Sequence, residues 1–128
     1  MTFNPKSDIT DNEILYRVVR PFNLFWKKKF NKLSTAAFKD RNGLSVDRDG
    51  ERSENAVIDD FNRRRFEGAL ISAIAGDCKA INTYLVPKPN NWKYHAEILD
   101  SRSKIILSNE KCEKLVGLFK VVCTDISK

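Results

Sequence analysis

Ile14-Leu-Tyr-Arg-Val-Val-Arg-Pro21 is the stretch on which the fold turns. β-Branched and aromatic side chains suit a pleated, half-buried surface, so Ile14 to Val19 reads as a strand. Pro21 has no backbone N–H to give to a ladder and ends it. The next residues, Phe22 to Lys32, are aromatic and basic and read as a loop or irregular excursion. From Ile14 to Lys39 there are seven basic residues and no acid. The question set by this run is whether it grips something anionic or is a strand and loop that are merely basic.

A lone strand needs partners, and the rest of the chain offers them. Leu33-Ser-Thr-Ala-Ala-Phe38 is a short apolar strand candidate. Arg41-Asn-Gly43 supplies a turn, since Asn-Gly tolerates positive φ. Leu44-Ser-Val-Asp47 alternates like a half-buried strand. Asp47 to Ser53 reads as a polar, solvated loop. Asp47, Asp49 and Glu51 alternate there, but Arg48 and Arg52 interrupt any calcium-loop pattern. Ser53 to Arg65 predicts a helix, with Ser53 as cap and Val57, Ile58 and Phe61 on one face. Gly68 to Ala75 is apolar and is either strand or helix. Asp77 to Ile81 predicts one helical turn capped by Asp77. Thr83 to Val86 is a strand closed by Pro87-Lys-Pro-Asn-Asn91. Tyr94 to Leu99 is another strand. Ser108 to Lys120 is the best helix, with Ser108 as N-cap and Leu115, Leu118 and Phe119 on its apolar face.

About five strands with two flanking helices predict an α+β domain built on a mainly antiparallel sheet. The 128 residues fit one domain with a normal core. Residues 1–12 are expected as a loose tail and 13–128 as the domain. No apolar run approaches the ~20 residues of a membrane span, and the N-terminus lacks the apolar core of a signal peptide. A cytoplasmic location is the expectation. Three cysteines without a Cys-x-x-Cys pair agree with reduced thiols. The formal net charge of +6 permits an anionic partner.

Three groups of residues carry candidate chemistry. The first is the basic, aromatic run, with Arg20, Phe22, Trp26, Lys27, Lys28, Lys29 and Lys32 as the contacts. Cations neutralise phosphates and aromatic faces stack on bases, so this mixture suits single-stranded nucleic acid or an acidic protein surface. Arg63-Arg-Arg65 would extend it. The second is Tyr94-His-Ala-Glu97. Strand alternation puts His95, the single histidine, and Glu97 on one face, where they can shuttle a proton or bind a ribose. His-Ala-Glu also occurs in zinc nucleobase deaminases, but no Pro-Cys-x-x-Cys completes that site here. The third is the polar chemistry of Arg17, Ser34-Thr35 and Lys39. No P-loop, Rossmann glycine set or Gly-x-Ser-x-Gly is present, and neither a metal nor a cofactor is expected.

Two resemblances follow from these residues. The blocks Leu15-Tyr-Arg17, Ser34-Thr-Ala-Ala-Phe-Lys39, Leu44-Ser-Val-Asp-Arg48 and His95-Ala-Glu97 resemble, in order, a small bacterial family of uncharacterised proteins. That family also has a proline-rich link before its His-Ala-Glu strand. The likeness covers most of residues 13–100. It implies that Arg17, Lys39, Ser45, Asp47, His95 and Glu97 meet in space, and it brings no activity with it. An arginine on a first strand, a Ser/Thr pair on a second and a glutamate on a later one is also similar to ADP-ribosyltransferases. There the arginine and serine hold NAD and the glutamate acts on the ribose. The matching positions are Arg17, Ser34 or Thr35, and Glu97.

The leading functional expectation is a non-enzymatic binding module for an anionic partner. The alternatives are a small enzyme acting on NAD or a nucleotide, as in a toxin or anti-phage defence component, and a structural subunit of a larger complex. In the enzyme reading, Arg17, His95 and Glu97 are the catalytic candidates, with Lys39, Ser45 and Asp47 beside them.

Overall fold

A computed structural model of the chain describes residues 2–19, 26–27, 32–33 and 35–126, with 26–27 and 32–33 as backbone. The elements in chain order are β1 (Ile14–Val19), β2 (Trp26–Lys27), β3 (Lys32–Leu33), a 3-10 helix (Thr35–Phe38) and β4 (Leu44–Arg48). Then come α1 (Glu54–Arg63), β5 (Gly68–Ile74), α2 (Ala75–Ala80), β6 (Tyr84–Pro87), β7 (His95–Leu99), α3 (Asn109–Leu118) and β8 (Lys120–Ile126). Six strands form one antiparallel sheet in the order β6-β7-β4-β1-β5-β8, and β2 pairs with β3 in a separate ribbon. The fold is thus a single α+β domain.

β1 lies at the middle of the sheet, as its sequence demands. It pairs with β5 over six residues, from Ile14↔Ile74 to Val19↔Ala69. Alternation sends Leu15 and Val19 to one face and Tyr16 to the other. On the first face Leu15, Leu44, Val46, Ile71 and Ile98 pack under the 3-10 helix, α2 and α3, with Phe38 and Phe119 in ring contact at 5.2 Å. On the second face only α1 covers the sheet: Val57 and Phe61 pack on Tyr16, Leu70 and Ile126. Among the described residues, no helix covers the same face over β4, β7 and β6. Among the described residues no helix is long and apolar enough to cross a membrane.

Both predicted serine caps are present: Ser53 Oγ accepts from the Ala56 N–H and Ser108 Oγ from the Lys111 N–H, each at 3.2 Å. Several expectations need correction. The apolar run ending at Phe38 is not a strand; Ala37 and Phe38 reach the core from a 3-10 helix. Asp77 does not cap α2. That helix follows β5 without a loop, Ile74 is its N-cap and makes no side-chain cap bond. Residues 120–126 form an edge strand on β5 that the sequence did not announce.

The described part of the N-terminal tail is not loose. Arg48 reaches across it and donates to the carbonyls of Pro5, Ser7 and Asp8, to Ser7 Oγ and to both oxygens of Glu13. Phe3 stacks on Tyr94 with ring centroids 5.3 Å apart. Nor is 47–53 a solvated loop: Asp47 is 4% and Arg48 1% exposed. Gly50, at φ +58, makes this turn fit, because a Cβ there would lie 2.2 Å from the Tyr94 ring.

Candidate functional site

Registers across three strands build the site. Tyr16 faces Asp47 across β1 and β4, Asp47 faces His95 across β4 and β7, and Ser45 faces Glu97. Directly paired residues share a face of a sheet. Ser45, Asp47, His95 and Glu97 therefore stand together on the face that carries α1, on the part of it that no described helix covers. Gly43, at φ +96, brings the start of β4 close to Glu97; a Cβ there would lie 3.0 Å from Glu97 Oε1.

Two hollows meet at His95. A cavity of about 220 Å³ lies over Tyr16, Ser45 and Asp47, walled by Phe61, Arg64 and Phe66. A second, of about 470 Å³, is lined by Asn42, Lys88, Asn90, Trp92 and Glu97. His95 lines both. The larger falls within the roughly 300–1,000 Å³ usual for small-molecule sites.

Asp47 holds the two walls together. Its Oδ2 accepts from Arg64 Nη2 at 2.7 Å and from Trp92 Nε1 at 2.9 Å, with Arg52 Nη2 at 3.6 Å. Arg52 in turn donates to Asp60 at 2.6 Å and lies 3.6 Å over the Tyr94 ring. Burial lowers the pKa of both Arg52 and Arg64, and the Asp47 charge opposes that shift. Arg64 sits among three rings, 4.2 Å from Trp92, 4.6 Å from Phe61 and 4.9 Å from Phe66. Such stacking suits a guanidinium, whose flat faces are weakly hydrated.

The end of α1 fixes Phe66. The Arg65 N–H donates to the Asn62 carbonyl at 3.0 Å and the Phe66 N–H to the Phe61 carbonyl at 3.1 Å. Arg65 stands at φ 61. This is the Schellman arrangement, with its usual apolar contact made by the Phe61 and Phe66 rings at 5.3 Å. A residue with a Cβ in that left-handed conformation costs about 1–2 kcal/mol.

Arg17 occupies a seam. The β1–β4 ladder covers only Leu15↔Arg48 and Tyr16↔Asp47. Beyond it, Arg17 Nη1 donates to the Ser45 carbonyl at 2.8 Å and Nε to the Ala37 carbonyl at 3.2 Å. The guanidinium thus replaces the missing strand pairing. Burial depresses its pKa, and the Asp40 charge acts on it through space in the opposite sense. His95 Nε2 and Glu97 Oε2 are 3.7 Å apart, an ion pair only when the imidazole is protonated. The two side chains are 30% and 20% exposed.

Of the residues expected to meet, Ser45, Asp47, His95 and Glu97 share one face; Arg17, paired with Ile71, leaves β1 from the other face toward the Ala37 carbonyl and only borders the smaller cavity from the seam. Lys39 does not join it: its Nζ donates to Asn109 Oδ1 at the start of α3. Thr35 opens the 3-10 helix instead of lying on a second strand, and Ser34 is outside the described residues. Arg20, Phe22, Lys28 and Lys29 are outside them too, and Trp26, Lys27 and Lys32 are described only as backbone, in the pairs Trp26↔Leu33 and Lys27↔Lys32. Phe66 and Trp92 were missed, and Arg64 was expected only within Arg63-Arg-Arg65 as an extension of the basic run. A signal existed for Arg64, which lies three residues after Phe61 on the same helical side as the apolar stripe.

Among the described residues no three metal-ligating side chains cluster. Cys78, Cys112 and Cys123 are free thiols, and burial, with the Asp77 charge, pushes Cys78 up to about 12. No family model, no curated protein and no solved structure matches the chain.

Proposed function

We propose that the open sheet face binds a small phosphate-bearing molecule of the nucleotide or NAD class, and that His95 exchanges a proton on it with Glu97 as its charge partner. The observation that carries this reading is the meeting of the two hollows at His95, with basic side chains on their walls. Arg17, bonded among the described residues to two neutral carbonyls, brings a positive charge to the edge of the smaller hollow. Arg64 and Lys88 add to it. Against them stand Asp47, which is already shared by two arginines, and Glu97. A half-buried excess of positive charge in a concave, partly apolar site favours an anion. Histidine is the side chain whose ordinary titration lies nearest neutral pH, which suits it to acid–base work.

His95 is the only histidine, so its ring signals need no assignment by mutation. Millimolar NAD, adenosine monophosphate and inorganic phosphate are to be added while these signals are followed. Shifts with at least one ligand, absent at an unrelated neutral sugar, support the site; no shift with any of them removes it. Product formation from NAD or nucleotides, lost in His95→Ala and Glu97→Gln while binding persists, supports the proton-transfer role. The expectation of a non-enzymatic contact through Arg20 to Lys32 rests on side chains outside the described residues.

A further inference from the structure

The geometry points to Phe66 as the wall on which the ligand's planar ring stacks, with its sugar and phosphate lying beyond His95 in the asparagine-lined hollow. This deepens the reading above and rests on it. Phe66 is 40% exposed although its ring also touches Phe61, and it borders the smaller cavity. It is held rigidly, by a helix-terminating motif and by the Arg64 guanidinium 4.9 Å from its centroid. An aromatic ring that is fixed in place and still open to a cavity offers area for stacking with little ordering left to do.

The two hollows differ in chemistry. Rings of Phe61 and Phe66 bound the first. Amides of Asn42, Asn90 and Asn91, with Lys88 and Glu97, bound the second. An amide offers both donors and an acceptor, which matches the hydroxyls of a ribose, and an ammonium matches a phosphate. The bond between ring and sugar would then lie over His95. A nucleotide meets both halves, whereas a base-free sugar phosphate meets only the second.

Adenosine monophosphate and ribose 5-phosphate are the probes, read through the His95 ring signals. The nucleotide is expected to bind at least about tenfold more tightly, the usual order of one base–aromatic stack. In Phe66→Leu, which keeps an apolar contact to Phe61, the nucleotide is expected to fall to the affinity of ribose 5-phosphate, with the latter unchanged. Phe66→Tyr is expected to keep the preference. Lys88→Ala is expected to weaken both ligands by one factor, since it acts on their shared phosphate. Amide spectra of each variant check that it folds. Equal affinity of the two probes for the unaltered protein, or equal losses of both in Phe66→Leu, overturns the stacking role and leaves the cleft assignment standing. A Lys88→Ala loss confined to the nucleotide overturns the orientation. No His95 shift with either probe removes both proposals.

Discussion

Asp47 and Arg48 are neighbours on β4, and each organises a cluster on its own face of the sheet. The two clusters differ in how fully their polar groups are used. Arg48 has five N–H groups, and three carbonyls, a hydroxyl and both Glu13 oxygens receive them. Its guanidinium also lies 4.8 Å over Phe3. Around Asp47 one carboxylate oxygen, Oδ2, is shared by Arg64, Trp92 and Arg52, but the neighbouring side chains are less fully used. Arg64 keeps a quarter of its side chain exposed, and His95 meets Glu97 only at 3.7 Å. Both clusters border a hollow, that beside Arg48 and Glu13 measuring about 420 Å³, so the difference lies in the bonds. A cluster sealed by its own bonds holds the chain together, and an unsealed one has capacity left for a ligand.

The sharpest break of the sealed side is Glu13→Ala, which leaves Arg48 buried without its carboxylate. Removing one partner of a buried ion pair typically costs about 3–5 kcal/mol. A urea denaturation series should show a loss of that size, with ligand-induced His95 shifts retained in the folded protein. On the open side, Asp47→Ala removes bonds to one arginine and one indole. A loss of about 1.5–3 kcal/mol is expected, together with weaker ligand response as Arg64 and Trp92 lose their shared anchor.

The pH dependence separates the faces further. Burial alone would raise the Glu13 pKa, but the bonds from Arg48 and the Thr10 N–H outweigh it and leave the carboxyl below its ordinary 4.5. The folded value being depressed, the pair contributes stability that is present above 4.5 and lost as pH falls through the folded value. The urea midpoint should therefore drop on acidification below 4.5, and Glu13→Gln should flatten that limb.

Two smaller changes sharpen the contrast. Arg65→Gly relieves a left-handed residue and should raise stability by up to about 1 kcal/mol in the same urea series. His95→Ala should change stability by less than about 0.5 kcal/mol, as most substitutions outside a packed core do, yet abolish turnover. A large stability loss there would make His95 structural.

Much of the frame was legible because period-2 alternation and serine caps are local signals. Leu44–Asp47 and Tyr94–Leu99 declared themselves in this way, as did Ser53 and Ser108, while Ile14–Val19 was marked by its β-branched and aromatic composition. What failed depended on distant partners. Asp47, Arg48 and Arg52 look like a solvated loop because a charge reads the same in sequence whether water or a buried counter-charge meets it. Leu33–Phe38 has the composition of a strand, but Phe38 fills the core from a 3-10 helix. β8 was obscured because it follows α3 with a single intervening residue. In the site, His95 and Glu97 were paired through strand alternation, and Ser45 was named only through the resemblance of its block. Phe66 and Trp92 reach it from outside the strands, and no pattern within the strands marks them.

The short seam between β1 and β4 has a mechanical meaning. Two ladder pairs, the bond from the Asp49 N–H to the Ile14 carbonyl and the Arg17 guanidinium join a ribbon of β6, β7 and β4 to a ribbon of β1, β5 and β8, over one shared apolar core. The cleft lies over this stitch, with Tyr16 on one ribbon and His95 on the other. Arg17 closes the stitch where the ladder stops, through the Ser45 carbonyl across the seam and the Ala37 carbonyl of the 3-10 helix beneath it, so the floor of the cleft is tied to the core on the far side of the sheet.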